Sequence, residues 1–214
     1  MESRIFQYKT LRDDRPQFRD DLPKFRLLRL GEEGYGDIQC ELIETIFGTD
    51  EMMPYVAISY RWDSGNKNKF IWIGKCKLPV SNGVFSILDS RHTTEHRHLW
   101  YDLGYFWIDA ICINQNNDEE KSHQVNHMKD IYTNAIAVIV WLGKASKDSD
   151  LVMAALTALR NEMPKRKLPP DDPNWSLAWQ KAKACTLHQV ESQEHSHSFN
   201  VLLSHSWFRR AWVL

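Results

Sequence analysis

Residues 99–143, LWYDLGYFWIDAICINQNNDEEKSHQVNHMKDIYTNAIAVIVWLG, decide the fold class of this chain. The apolar run 105–112 (YFWIDAIC) has the length and composition of a buried strand and ends abruptly in Asn114, Gln115, Asn116, Asn117 and Asp118. A helical pattern follows, with Val125, Met128, Ile131, Tyr132 and Ala135 on one face. The β-branched run 136–140 then reads as a second strand, closed by Trp141, Leu142 and Gly143. Strand, helix and strand over this span imply a parallel crossover. In open α/β sheets, ligands bind beyond the carboxyl ends of the strands, and the polar cluster after Cys112 sits at such an end.

Working outward, residues 25–30 (FRLLRL) and 38–46 (IQCELIETI) flank a Gly-containing loop and predict a β-hairpin. Residues 55–60 (YVAISY) predict a strand that runs into Arg61 and Trp62 and a polar loop. Residues 70–73 and 77–80 flank GKC as a second hairpin, and Ser81 or Asn82 can cap a helix to about Arg91. Beyond the central unit, Asp148 or Ser149 can cap a helix that carries Leu151, Ala154, Ala155, Leu156 and Leu159. KLPPDDP breaks it, and another helix starts near Asn174 or Trp175. The segment QVESQEHSHS reads as a loop, 199–203 as a short helix, and SWFRRAWVL as a last strand. Residues 1–24 are polar and aperiodic, an N-terminal arm ahead of a domain spanning 25–214. The fold class that follows is α/β, with a mostly parallel central sheet flanked by helices and N-terminal β-hairpin additions.

The 214 residues carry 27 basic and 28 acidic side chains, for a net charge of −1. No global field favours nucleic acid or an anionic membrane. No apolar stretch approaches the ~20 residues of a membrane span, and the charged N-terminus lacks the apolar core of a secretory signal. Cys40, Cys76, Cys112 and Cys185 follow no CxxC spacing, which predicts reduced cysteines and a cytoplasmic setting. There is neither a G-x-G-x-x-G nor a Walker sequence. His123 and His127 are i, i+4 on the central helix, but HQVNH lacks the glutamate of the zinc-protease pattern H-E-x-x-H. His92, His96 and His98, and His195 and His197, have no cysteine at ligand spacing, so no metal is expected.

Three segments together resemble one family. PYVAISYRW at 54–62, the central 99–143 segment, and SWFRRAWVL at 206–214 are similar to the motifs of the HET domain of fungal heterokaryon-incompatibility proteins. Ser59, Tyr60 and Trp62 match the first motif, and Ile108, Asp109, Ala110, Cys112, Ile113, Asn114 and Gln115 match the second. Glu120, Gln124 and Val125 match a helix-start motif, and Trp207, Arg210 and Trp212 a closing one. Asp63 stands where the family has Gly, Lys121 replaces an Arg, and the Gln-Glu that follows the last motif lies beyond Leu214, as in a domain cut from a longer protein. The resemblance implies a role in triggering programmed cell death on non-self recognition. It also implies a distant TIR/flavodoxin-like relationship, and some TIR domains cleave NAD through a single helical glutamate while others only scaffold signalling.

On that resemblance Glu120 is the expected catalytic residue: a carboxylate that stabilises an oxocarbenium-like ribose as the nicotinamide bond of NAD, a substrate and not a cofactor, is cleaved. The competing reading is a capping box with Asn117, in which Glu120 only satisfies a backbone N–H. Asp109, inside an apolar run, is either a hydrogen-bond anchor or a substrate group. Asn114 and Gln115 suit a ribose, an amide or a neighbouring loop. Tyr60, Arg61 and Trp62 would line the pocket, with the aromatics stacking on a ring or closing the core. Arg210 would pair with a phosphate or with an acid such as Asp109. The alternative function is a non-catalytic signalling module that self-associates or docks an upstream receptor or incompatibility partner.

Overall fold

The computed structural model describes residues 4–11, 24–31, 37–49, 52–62, 67–90, 104–163, 169, 172–186 and 192–209. They fall into two compact units, Met1–Gly143 and Lys144–Leu214. The first is built on a seven-stranded sheet of order β5-β4-β2-β1-β6-β3-β7. Its strands are β1 (Lys24–Leu30), β2 (Gln39–Ile46), β3 (Val56–Tyr60), β4 (Lys69–Ile73), β5 (Cys76–Val80), β6 (Tyr105–Trp107) and β7 (Ala137–Trp141).

Both expected hairpins are present. β1 and β2 pair antiparallel from Lys24 opposite Ile46 to Leu30 opposite Cys40, and β4 and β5 from Lys69 opposite Val80 to Ile73 opposite Cys76. The parallel core is β6, β3 and β7, with β3 in the middle, so the chain between β6 and β7 crosses β3. All five β3 residues are buried, as a central strand covered on both faces requires. This is the expected α/β class. The N-terminal arm is tied down where it is described: Ile5 bridges Lys77, and the Tyr8 hydroxyl donates to the Ile111 carbonyl at 2.8 Å. Phe25 stacks on Phe47 with ring centroids 4.3 Å apart and meets Tyr55 edge-on, while Trp107 meets Tyr132 edge-on from the crossover.

Several local expectations are corrected. The run 105–112 is a strand only to Trp107. From there Ile108 accepts the N–H groups of Ile111 and Cys112, winding Asp109–Cys112 into the helical turn α2, α1 being the Ser81-capped helix Asn82–Asp89. An apolar run this short fits strand and buried helix equally, and here the helical hydrogen bonds win. The crossover helix is broken at His127 into α3 (Asp118–Asn126) and α4 (Met128–Asn134). Val125 is 51% exposed, and Gln124 is buried in its stead, with Nε2 donating to the Lys24 carbonyl at 2.6 Å. Met128, Ile131, Tyr132 and Ala135 do pack on the core.

In the second unit, α5 (Lys147–Glu162) is capped by Ser146, whose side chain exchanges hydrogen bonds with Ser149 in a capping box. The cap is therefore Ser146, and neither Asp148 nor Ser149. α6 (Asn174–Thr186) begins where expected, but residues 192–198 of the segment read as a loop are in α7 (Ser192–Leu203), which packs on α5, and 189–191 lie outside the described residues. Tertiary contacts override its weak propensity: buried Ser198 donates to Asp148 Oδ1 at 2.6 Å, and Phe199 meets Trp179 edge-on. The expected last strand opens as the 3₁₀ turn Ser206–Arg209. Residues 210–214, with Arg210 and Trp212, lie outside the described residues, as do Asp63, His92, His96 and His98.

The β4–β5 turn places Gly74 at φ +59°, with open space where a Cβ would stand. Gly74→Ala should therefore cost backbone strain alone, about 1 kcal/mol, read as a lower urea midpoint with an unchanged slope. An unchanged midpoint would mean the turn tolerates another backbone geometry.

Candidate functional site at the carboxyl edge of the sheet

Because β6, β3 and β7 are parallel, Trp107, Tyr60 and Trp141 end at one edge of the sheet, and antiparallel β1 begins there. That edge gathers most of the expected site residues. Tyr60 is 2% exposed and lies within β3, which corrects its expected place in a pocket wall: it closes the core. Arg61 and Trp62 leave the strand into solvent, Trp62 at 45% exposure. The Trp62 indole Nε1 donates to Asp109 Oδ2 at 2.8 Å, and Asp109 Oδ1 accepts the Ala110 N–H at 2.8 Å. Asp109 is 6% exposed, and its carboxylate joins the loop after β3 to the turn after β6. Gln115 Nε2 donates to the Asp109 carbonyl, and Asn114 Oδ1 accepts the Asn116 N–H, so both amides organise the same loop. This is the anchor geometry among the alternatives for Asp109.

Glu120 stands one turn into α3. Asn117 is the N-cap, its side chain accepting the Glu120 N–H at 3.0 Å, but the reciprocal half of a capping box is not made. The Glu120 carboxylate turns to the sheet. Oε1 accepts from Arg26 Nη1 at 2.6 Å and from the Asn114 N–H at 2.8 Å, and Oε2 accepts from Arg26 Nη2 at 3.1 Å. The two side chains are 4% and 7% exposed. The Glu120 carboxylate is thus walled in, held in a forked ion pair that matches the planar guanidinium.

Arg26 is the residue that sequence reading missed. Besides Glu120 it donates to the Cys112 carbonyl at 3.1 Å and the Lys9 carbonyl at 2.7 Å, and its guanidinium lies 5.2 Å from the centre of the Tyr8 ring. One side chain therefore ties β1, the N-terminal arm, α2 and α3 together. A signal was present: Arg26 lies between Phe25 and Leu27 in an apolar strand, where a charge requires a buried partner. Its strand neighbour Arg29 is exposed and pairs with Glu41.

Burial also governs the neutral groups nearby. It pushes the Tyr8 phenol up, and it pushes the Cys112 thiol up to about 12. Cys112 is thus a neutral thiol at physiological pH. Cys40, Cys76 and Cys112 are free thiols. His123 and His127 face each other with ring centroids 4.6 Å apart, yet no three His, Cys, Asp or Glu side chains gather for a metal among the described residues. Nor is any described helix long and apolar enough to cross a membrane.

The site belongs to the class of α/β modules whose loops converge at the carboxyl edge of a parallel sheet core. The family model described as heterokaryon incompatibility protein (HET) matches residues 55–214, and this chain belongs to that family. It is 31% identical over 185 residues to "Heterokaryon incompatibility protein 6, OR allele" of Neurospora crassa, an alignment covering 75% of this chain and 26% of that protein. The chain therefore spans about a quarter of the length of that relative. No solved structure matches.

Removing one partner of the buried pair leaves the other charge uncompensated. Glu120→Gln should lower the unfolding free energy by about 3–5 kcal/mol, whereas Glu119→Gln next to it, on the exposed side, should change it by about 0.5 kcal/mol or less. Equal small effects in urea titrations would show that the pair is not held. For Cys112 the raised thiol value sets the sign of its pH dependence: the native thiol stays protonated well above the usual thiol range. Native Cys112 should resist iodoacetamide at both pH 8 and pH 10, while half-buried Cys76 is alkylated. Labelling of Cys112 at the rate of Cys76, read by peptide mass spectrometry, would contradict the burial account.

Proposed function

We propose that this chain is the incompatibility module of a longer fungal protein, that it contributes to cell death on non-self recognition, and that it does so by protein association. Its family and the name of its Neurospora relative support the incompatibility role. The observation that carries the association reading is the enclosure of Glu120: both carboxylate oxygens are engaged by Arg26, and the Asn114 N–H takes a further lone pair. An acid that stabilises a ribosyl cation has to face the substrate, and here it would first have to leave a buried guanidinium uncompensated. The partners of such a module are a second copy of itself or an upstream receptor or incompatibility protein.

NAD cleavage is the second reading, and one feature favours it. The exposed Trp62 ring, hydrogen-bonded to Asp109 and beside Arg61, offers a stacking face and a cation at the edge of the sheet where α/β proteins bind nucleotides. In that reading Arg61, Trp62, Asp109, Asn114 and Gln115 hold the dinucleotide and Glu120 swings free of Arg26. A kinship to TIR domains belongs to this proposal.

The two readings part in one assay. Purified chain at high concentration is incubated with NAD and free nicotinamide is followed, with Glu120→Gln, verified as folded by circular dichroism, in parallel. Association predicts no release above the protein-free control for either protein. Turnover by the parent chain that disappears in folded Glu120→Gln would overturn it in favour of the glycohydrolase.

A further inference from the structure

The outer strand of the parallel core carries a feature that neither the fold nor the family motifs explain. β7 lies at the end of the sheet, and among the described residues only β3 pairs with it. Alternate N–H and C=O groups of an edge strand point away from its neighbour and are open to another strand. Edges of this kind are ordinarily guarded by lysine, proline or a bulge. β7 is AVIVW, with none of these, and its ladder to β3 runs unbroken from Ala137 to Trp141. On one face Ile136, Val138 and Val140 are 55%, 45% and 39% exposed, while Ile139 and Trp141 on the other pack against the core.

We propose that β7 is a homotypic docking edge, where a second copy of this chain adds its own β7 antiparallel to make one continuous sheet. This rests on the association reading above and names its surface. Self-complementarity of the strand selects a second copy over a foreign one. With a two-fold axis at Ile139, Val138 of each chain lies opposite Val140 of the other, so the two exposed valines of one strand cover the two of its partner. Ile139 meets its own copy, and Ala137 meets Trp141. No ionisable side chain occurs from Ile136 to Gly143, so the axis brings no like charges together within the paired strands. A five-residue strand pair buries less than the ~1,200 Å² of a stable complex. The dimer is therefore weak and concentration-dependent, as suits an assembly switched on when the longer protein is brought together locally.

The test uses two single variants of the 214-residue chain on the exposed face, Val138→Lys and Val140→Glu, in sedimentation velocity over a concentration series. The parent chain is expected to dimerise reversibly, and each variant alone to weaken the dimer by roughly tenfold or more, the size of the apolar cross-strand pairs lost together with the charge buried at each two-fold site. Mixed one to one, the variants should re-form a heterodimer, because this register alone sets the introduced lysine opposite the introduced glutamate. A parent chain that stays monomeric, or dimers that both variants leave intact, would overturn the β7 edge. The second of these would leave association itself standing through another surface. Loss in the single variants without recovery in the mixture would overturn the register and, with it, the two-fold pairing proposed.

Discussion

A guanidinium inside a sheet has to be compensated on every side, and the first unit is organised around meeting that requirement at Arg26. The N–H groups of Nη1 and Nη2 are met by a carboxylate from α3, a carbonyl from α2 and a carbonyl from the N-terminal arm, with the Tyr8 ring alongside. Cys112 and Glu120 lie 86 and 94 positions from Arg26, and Lys9 lies 17 positions before it. The pair therefore acts as a staple between elements that short-range propensity would leave independent. It also fixes the start of α3 relative to β6, because Glu120 accepts from the Asn114 backbone as well. A buried pair of this kind adds little net stability relative to an apolar replacement, but it specifies one arrangement, since any other strands a charge.

That constraint shapes what the carboxyl edge can do. The loops after β3 and β6 are joined by Trp62 and Asp109, the turn after β6 is held by Gln115, and the Glu120 carboxylate is engaged by Arg26. What stays outward is Arg61, the Trp62 ring and, along the sheet's far margin, the uncharged strand β7. An edge with its polar groups engaged and an apolar strand exposed supports the association proposed above.

Much of this was legible in the residues. Period and turn chemistry were enough for both hairpins, for β3 and for β7, because alternation and glycine turns are local signals. Family membership followed from the motif spacing. The stretch 105–112 misled because its apolar residues suit a strand and a helical turn alike, and only the hydrogen bonds from Ile108 decide. α7 was hidden by polar residues whose helix is maintained by Phe199 and Ser198 contacts with α6 and α5. Glu120 was recognised as important, but its role could not be read from spacing, since its partner lies 94 positions away in β1. Arg26 is the general lesson: a charge in an otherwise apolar strand asks for a counter-charge, and that search would have led to Glu120.

The central claim, that Glu120 exists to compensate Arg26, is tested most directly by a double-mutant cycle on unfolding free energy with Arg26→Met, Glu120→Met and the double variant. The account predicts that the double variant is less destabilised than the sum of the singles by about 2 kcal/mol or more, because each single leaves a lone buried charge that the double removes. Additivity within about 0.5 kcal/mol would mean the two side chains act independently, and would return the Glu120 carboxylate to the candidates for chemistry.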